Sequence, residues 1–545
     1  MKQKHIFLVL VLFISMAVFL AGCTSQNSTT NTSPALASSH ADVIRLAGGD
    51  YGYPQPFTCD PRGPGTYKVG MIFDSLLDKD EKGLIPWLAE NWTVSPDGKV
   101  YTFYLRKNVT WQDGVPFTAD DVKFTYDYEV KHVPVAGAME SGVVDNVQVV
   151  DNSTVRFVLN KSISTFLYKL SSFNIIPEHI YRNVSDPVTY LAPEAVIGTG
   201  PYKLAQYNKE QGAYQFVANP SFWGPAPAIK TVEFVPVSDA LISFEQGDID
   251  FTTITPDTLY RFTNNTDIRI EQQPAFWGYE FYFNIKKCPE LGDRRIRQAF
   301  AYSINRSELV EKIQRGAGEP GNMGVLPNDH IWYNPDQTSY TRDVAKANAL
   351  LDEAGWKDTD GDGIRDKDGK KLSYTLSVGS DEVRIAELIK ARLSDIGVDV
   401  QVKALESKSR DANMKKGDFE LIISGYGGWG FDADYLRTRY CDTASSDTAN
   451  GIVPLASVMG YHNDTLNALG TREIIEMNET ARKQLVYQMQ DVLSQDVPTI
   501  PLFYTTSYDV WHISTYDGWV NMFDHNVRTH SILSYLTRTG AAAKR

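Results

Sequence analysis

The chain has 545 residues, 42% of them hydrophobic, with 39 Gly and 26 Pro. That composition excludes collagen-like, coiled-coil and wholly disordered chains and fits one large or two to three ordinary domains. Lys and Arg number 53 against 67 Asp and Glu, a net charge of -14 that argues against nucleic acid as a partner, and four Cys are too few for a disulfide scaffold.

Residues 1–22 begin with the basic Lys2 and Lys4, continue through an apolar run from Ile6 to Leu20 and end in Ala21-Gly22 before Cys23. The run is shorter than the roughly 20 residues a spanning helix needs and has the layout of a signal peptide. Its ending, Leu20-Ala-Gly-Cys23, resembles a lipobox, in which Cys23 takes up lipid and becomes the first mature residue. Residues 23–40, rich in Ser, Thr and Asn, then read as a flexible tether.

Further along, Val100 to Leu105 alternates as a half-buried strand, after the turn signal Asp97-Gly98. Thr118 with Asp120 and Asp121 reads as the N-cap and acidic first turn of a helix. Residues 143–160 read as a hairpin turning at Asp151-Asn152. Helices are expected over 293–315, 343–354, 382–396 and 473–493, and strands over 398–402, 419–424 and 499–504. Strand-helix units of this kind suggest an α/β body of two lobes.

The stretch PWLAENWTVSPDGKVYTFYLRKNVTWQDGVPFTADDVKFTYD (86–127) resembles the hallmark segment of the family 5 extracellular solute-binding proteins. GTGPYKL (198–204), YFNIKKCPELGDRRIRQAFAYSINR (282–306) and IPLFYTT (500–506) are similar to further landmarks of that family, in order. The resemblance implies an α/β, two-lobed periplasmic-binding-protein-like fold (type II) with an extra N-terminal subdomain. Carried onto this chain, the first lobe takes 41–85, 197–284 and 500–545, the extra subdomain 86–196 and the second lobe 285–499. Chain crossings near Phe283-Asn284 and Pro498-Thr499 would form the hinge. Gly198, Gly200 and Pro201 read as a compact turn, and Arg294, Arg295 and Arg297 as cations needing partners, with a structural salt bridge to the neighbouring lobe the favoured one.

Ligands of α/β proteins sit at loops after strand carboxyl ends, which singles out GYGGWGFDADYLRTRYC (425–441). In peptide-binding relatives an aspartate of this loop pairs with the α-amino group of the ligand. The resemblance sets that position on Trp429, a stacking face or an ordinary core Trp, with Asp432 or Asp434 able to take over the charge. Phe276, Trp277, Tyr504 and Tyr508 beside the crossings are further candidates, as are Tyr51 and Tyr53 in an early loop.

Asp358, Asp360, Asp362, Ile364 and Asp366 have the spacing of calcium-loop ligands with Gly363 at the sharp turn, but position 12 is Gly369 in place of Glu. A structural Ca2+ clip and an Asp-rich surface turn both fit; no cofactor is required. Cys288 and Cys441 are a candidate disulfide, which would leave Cys59 free. No zinc-helix, esterase-elbow or phosphate-loop motif occurs, so an enzyme is not expected. The expected role is that of a lipid-anchored receptor outside the cytoplasmic membrane. It would capture di- or oligopeptides for ABC permease subunits with their ATPases. A nickel chelate, an oligosaccharide or a sensing role is the alternative.

Overall fold

The computed structural model describes residues 42–60, 64–135, 142–275, 277–430, 432–442, 455–522 and 527–537. The leader, Cys23 and the tether expected at 24–40 lie outside the described residues, as does Phe276.

Strand Val100–Leu105 buries Tyr101, Phe103 and Leu105 on one face, the period-2 pattern of its sequence. It lies inside a four-stranded antiparallel sheet ordered Ala89–Val94, Val100–Leu105, Thr154–Leu159, Val144–Asp151. Helix Ala119–Glu129 starts at a capping box in which Thr118 and Asp121 satisfy each other's backbone N–H groups, and it packs on this sheet. Together they enclose a core around Phe103, Trp111, Phe157 and Phe166.

A second sheet pairs Val43–Ala47 in parallel with Thr231–Val235, followed by Ala213–Ala218 and Tyr202–Asn208. A three-stranded sheet of Phe251–Ile254, Tyr508–His512 and Ile268–Gln272 lies nearby. The Gly198-Thr-Gly-Pro201 segment runs against the backbone of Met71 and Ile72, with Gly200 N–H donating to Ile72 O at 2.8 Å and Tyr202 N–H to Met71 O at 3.0 Å. A Cβ on Gly198 would stand 1.9 Å from Ile72 O, so close backbone approach is what demands glycine there.

The remaining large sheet has six strands in the order Gly318–Pro320, Thr499–Thr505, Trp277–Phe283, Leu421–Gly427, Ser373–Gly379, Asp399–Leu405. This corrects the expected crossings. Strands Trp277–Phe283 and Thr499–Thr505, assigned from sequence mostly to the first lobe, are interior strands of the second-lobe sheet. The chain therefore passes between lobes after Gln272 and again between Thr505 and Tyr508. Both strands are almost wholly buried, and apolar runs of that kind belong inside a sheet rather than at a hinge.

Two expected helices are each shorter. The 293–315 stretch divides into Arg294–Ser303 and Arg306–Lys312, and the 473–493 stretch begins only at Glu479, after a separate helix Asp464–Glu473. Asn305 and Asn478 accept the N–H groups of Glu308 and Ala481, so each starts a new helix by capping it. Arg295 pairs with its own N-cap Asp293 at 2.6 Å. Buried Arg297 donates to the carbonyls of Leu291, Gly292, Asp496 and Val497, so its role is structural but within one lobe, not a bridge to the other.

The candidate disulfide is also corrected. Cys59, Cys288 and Cys441 are free and buried. Cys288 belongs to the core of Phe281 and Phe283, Cys441 to that of Tyr282. Since successive strand residues face opposite ways, the six-stranded sheet separates the two thiols.

Candidate functional site

A cleft of about 500 Å3 opens between four stretches of chain: residues 66–79 with Trp87, 165–174, 428–430 with 432–438, and Met522 with 529–535. Met71, Phe73 and Asp74, beside the Ile72 backbone that the Gly198–Gly200 segment runs against, stand in its wall. Asp74 is buried and accepts from Trp87 Nε1–H at 2.7 Å, Thr199 Oγ1–H at 2.8 Å and Trp223 Nε1–H at 2.9 Å. Burial raises its pKa to about 6, and those three hydrogen bonds hold it from rising further. On the same side Tyr67 stacks on His530 with ring centroids 3.9 Å apart, and both line the cleft.

Across the cleft is the loop after strand Leu421–Gly427. Gly428 and Gly430 take positive φ, 59° and 66°, and turn the chain so that Trp429 sits between them at the wall. The Trp429 ring meets Tyr426 and Tyr504 edge-on, with centroids 5.2 Å and 5.5 Å away. Only 3% of it is exposed, so it is both core residue and cleft lining, and its buried Nε1–H has no hydrogen-bond partner.

Asp432 and Asp434 also line the cleft, and neither carboxylate is vacant. Arg482 grips both oxygens of Asp432, one of them at 2.7 Å from Nη1, and its Nε–H also reaches Glu473 at 2.7 Å. Arg437 grips Asp434 in the same two-pronged way, with one bond of 2.9 Å. Glu473 is fully buried; burial foremost, and then Asp434 and Asp432, raise its pKa to about 8 against the pull of Arg482. Burial likewise raises Asp434. The sequence loop that named the two aspartates holds Arg437 but not Arg482 and Glu473, which come from helices Glu479–Asp496 and Asp464–Glu473.

The remaining sequence candidates fall elsewhere among the described residues. Tyr504 is fully buried behind Trp429, its hydroxyl donating to Val325 O at 3.0 Å. Trp277 is 46% exposed and lies over Gly425 of the neighbouring strand. Tyr508 is half-buried in the three-stranded sheet, against the small core of Phe244. Tyr53 donates to Ala192 O at 3.3 Å, and Tyr51 faces the amine of Lys68. None of these five lines the cleft: packing takes the four tyrosines into sheets and cores, and Trp277 lies half-exposed across its sheet. Conversely Tyr67, Tyr168 and His530 line it without having been marked, because isolated aromatics in loops and short helices carry no local signal.

In the Asp-rich loop, Asp358, Asp360 and Asp366 bring ligand oxygens within 4.8 Å of one another. Lys371 bonds Asp360 at 2.8 Å and also Asp362, Asp358 accepts from Gly361 and Gly363, and Asp366 from Thr359. Ile364 contributes its N–H to Asp362. A lysine thus already supplies positive charge between two of the carboxylates.

No helix among the described residues is long and apolar enough to cross a membrane. A family model, bacterial extracellular solute-binding proteins, family 5 middle, matches residues 83–447. The chain is 30% identical to the dipeptide-binding protein of Escherichia coli over 67% of this chain and 72% of that protein. It is also 30% identical to the nickel-binding periplasmic protein of the same organism, over 77% and 85%. Its fold matches the oligopeptide-binding protein AppA of Bacillus subtilis, solved with a nonapeptide, at a TM-score of 0.69 and 23% identity, covering 91% of this chain and 98% of that one. With its two lobes, the cleft between them and a family match over most of its length, the chain belongs to the family 5 bacterial extracellular solute-binding proteins.

Proposed function

We propose that the chain captures di- or oligopeptides between its lobes and delivers them to an ABC permease, anchored outside the cytoplasmic membrane by lipid on Cys23. The observation that carries the peptide reading is the pairing of opposite chemistries on one cleft wall. Trp429 offers a ring edge and a buried N–H with no acceptor, and beside it Asp432 and Asp434 stand with Glu473 against only two guanidiniums. A peptide carbonyl suits the N–H, and an α-ammonium supplies the third positive charge. The volume of about 500 Å3 lies in the range of small-ligand sites. Names of relatives support the same class, since one is a dipeptide-binding protein. The solute would act by binding the closed arrangement of the lobes more tightly than the open one.

A nickel chelate is the second reading, favoured by the equally similar nickel-binding relative. Native mass spectrometry of gently purified protein separates the two. Peptide masses released on activation support the first reading. Nickel with an organic chelator, and no peptide, would replace it. Lipidation is read on the same sample from the mass of the mature N-terminus: a diacylglycerol increment on Cys23 is expected, and an unmodified Cys23 removes the anchor.

A further inference from the structure

Behind the stacked rings of Tyr67 and His530 is a smaller hollow of about 160 Å3. It shares Tyr67, Met71, Thr529 and His530 with the cleft, so the two spaces adjoin. Its other walls include Phe234, Phe251, Thr252 and Lys68.

Lys68 is the anomaly. Lysine ordinarily keeps its ammonium in water while its stem lies on apolar surface. Here the residue is 1% exposed, because helix Gly65–Gly70 turns it inward with Val69 against the first-lobe sheet. Three ring faces surround Nζ, with centroids 3.8 Å (Phe234), 4.7 Å (Tyr51) and 5.0 Å (Tyr214) away. Ring faces attract a cation but accept no ordinary hydrogen bond. Nζ has no hydrogen-bond partner and, among the described residues, no carboxylate acts on it. Burial alone pulls its pKa down to about 7. A buried amine with three donors and no acceptor is a deficit that an occupant with acceptor oxygens would remove.

We infer that the hollow is an anion pocket of the solute site, in which Lys68 Nζ holds a carboxylate carried by the solute. Thr252 and Thr529 stand in the wall as hydroxyl donors, and Tyr67 and His530 form the passage from the cleft. The space admits a carboxylate on a short stem and not a whole peptide. The inference rests on the reading of the cleft as the solute site, and it specifies which solutes that site prefers: those with a carboxylate placed to reach behind the ring stack.

Two probes test it on the full mature protein, comparing wild type with Lys68→Met and Thr252→Val. Lys68→Met removes an unsatisfied buried donor and so is expected to fold; Thr252→Val is the second variant if it does not. The first probe is sodium propionate against sodium chloride at equal ionic strength, read as thermal stabilisation. The second is a pool of di- and tripeptides, each as free acid and as amide, read by native mass spectrometry of the retained species. Wild type should be stabilised by propionate and retain acids over amides by at least tenfold. Lys68→Met should lose the stabilisation and hold acid and amide forms alike, and Thr252→Val should weaken both effects. Propionate stabilisation that depends on Lys68, with no peptide retained by any form, upholds the anion pocket and overturns the peptide reading instead. Peptides retained with the same acid preference in wild type and Lys68→Met, or a propionate response that survives loss of the amine, overturn the pocket. So does a wild type that responds to neither probe, since the hollow would then hold only water.

Discussion

Asp74 gives the sharpest test of the electrostatics at the cleft wall. Its carboxylate is 2% exposed and accepts three hydrogen bonds, yet burial still raises its pKa from 3.8 to about 6. Because the folded value lies above the unfolded one, its contribution to stability is fully present below pH 3.8 and is lost as pH rises through about 6. The shift corresponds to about 3 kcal/mol across that window. Asp74→Asn abolishes the titration, and with its oxygen kept on the two donors Thr199 and Trp223 its amide turns an N–H toward Trp87 Nε1–H, a separate and pH-independent loss of about 1–3 kcal/mol. Urea unfolding of both proteins from pH 4 to pH 8 separates the effects. The stability of wild type relative to the variant should fall by about 3 kcal/mol as pH rises through this window, closing or reversing the initial gap, since only wild type carries the cost of a buried charge. Curves that run parallel over the whole range would refute the raised pKa and mean that the three donors keep Asp74 ionised throughout.

Three further outcomes are expected. Trp429→Phe keeps a ring between Tyr426 and Tyr504 but deletes the indole N–H, so a bound peptide should weaken by at least about tenfold, roughly 1.4 kcal/mol, in calorimetry; unchanged affinity removes that N–H from the site. Trp429→Ala is the poorer probe, because a residue 3% exposed leaves a cavity costing about 3–5 kcal/mol of stability. Arg482→Met strands Asp432 and Glu473 without their cation and should cost about 3–5 kcal/mol in urea unfolding, whereas wild-type stability would show that the carboxylates find other partners. In the Asp-rich loop, Lys371→Ala removes the ammonium from Asp360 and Asp362, so millimolar Ca2+ should raise the melting temperature of this variant more than that of wild type; equal responses mean that the lysine does not stand in for a metal.

What was legible in the sequence was local. Val100–Leu105 announces itself by alternation and Thr118 by its cap, because the interactions that fix them lie within a few residues. The helix boundaries at Asn305 and Asn478 were hidden, since apolar positions recur at helical spacing on both sides and only the capping bonds reveal a new start. The crossings were misplaced for a related reason. Apolar strands Trp277–Phe283 and Thr499–Thr505 say that they are buried but not in which sheet, which is decided by pairing with Leu421–Gly427 and with each other. At the site, the loop after a strand singled out Trp429, Asp432 and Asp434, which line the cleft, but sequence could not show that Arg482 and Glu473 already engage the acids. Nor could it bring Tyr67 against His530 from opposite ends of the chain.

The occupied acids change how an amine would be recognised. Asp432, Asp434 and Glu473 ionised together would face Arg482 and Arg437 alone, one negative charge too many for a buried cluster. The proton that burial holds on Glu473, whose pKa is raised to about 8, balances the set when the cleft is open. An α-ammonium arriving at Asp432 or Asp434 brings the missing positive charge, lowers the proton affinity of Glu473 and displaces its proton, so binding at pH 7 should release a proton. Calorimetry of one peptide in buffers of different ionisation enthalpy measures that release directly. Wild type should show a slope approaching one proton released per peptide near pH 7, turning to uptake above about pH 8, where the free α-amine must itself gain a proton to bind, and Glu473→Gln should show no release. A slope of zero for wild type at pH 7 would mean that the amine binds away from this cluster, or that the solute carries no amine, and recognition at this wall would then rest on Trp429 alone.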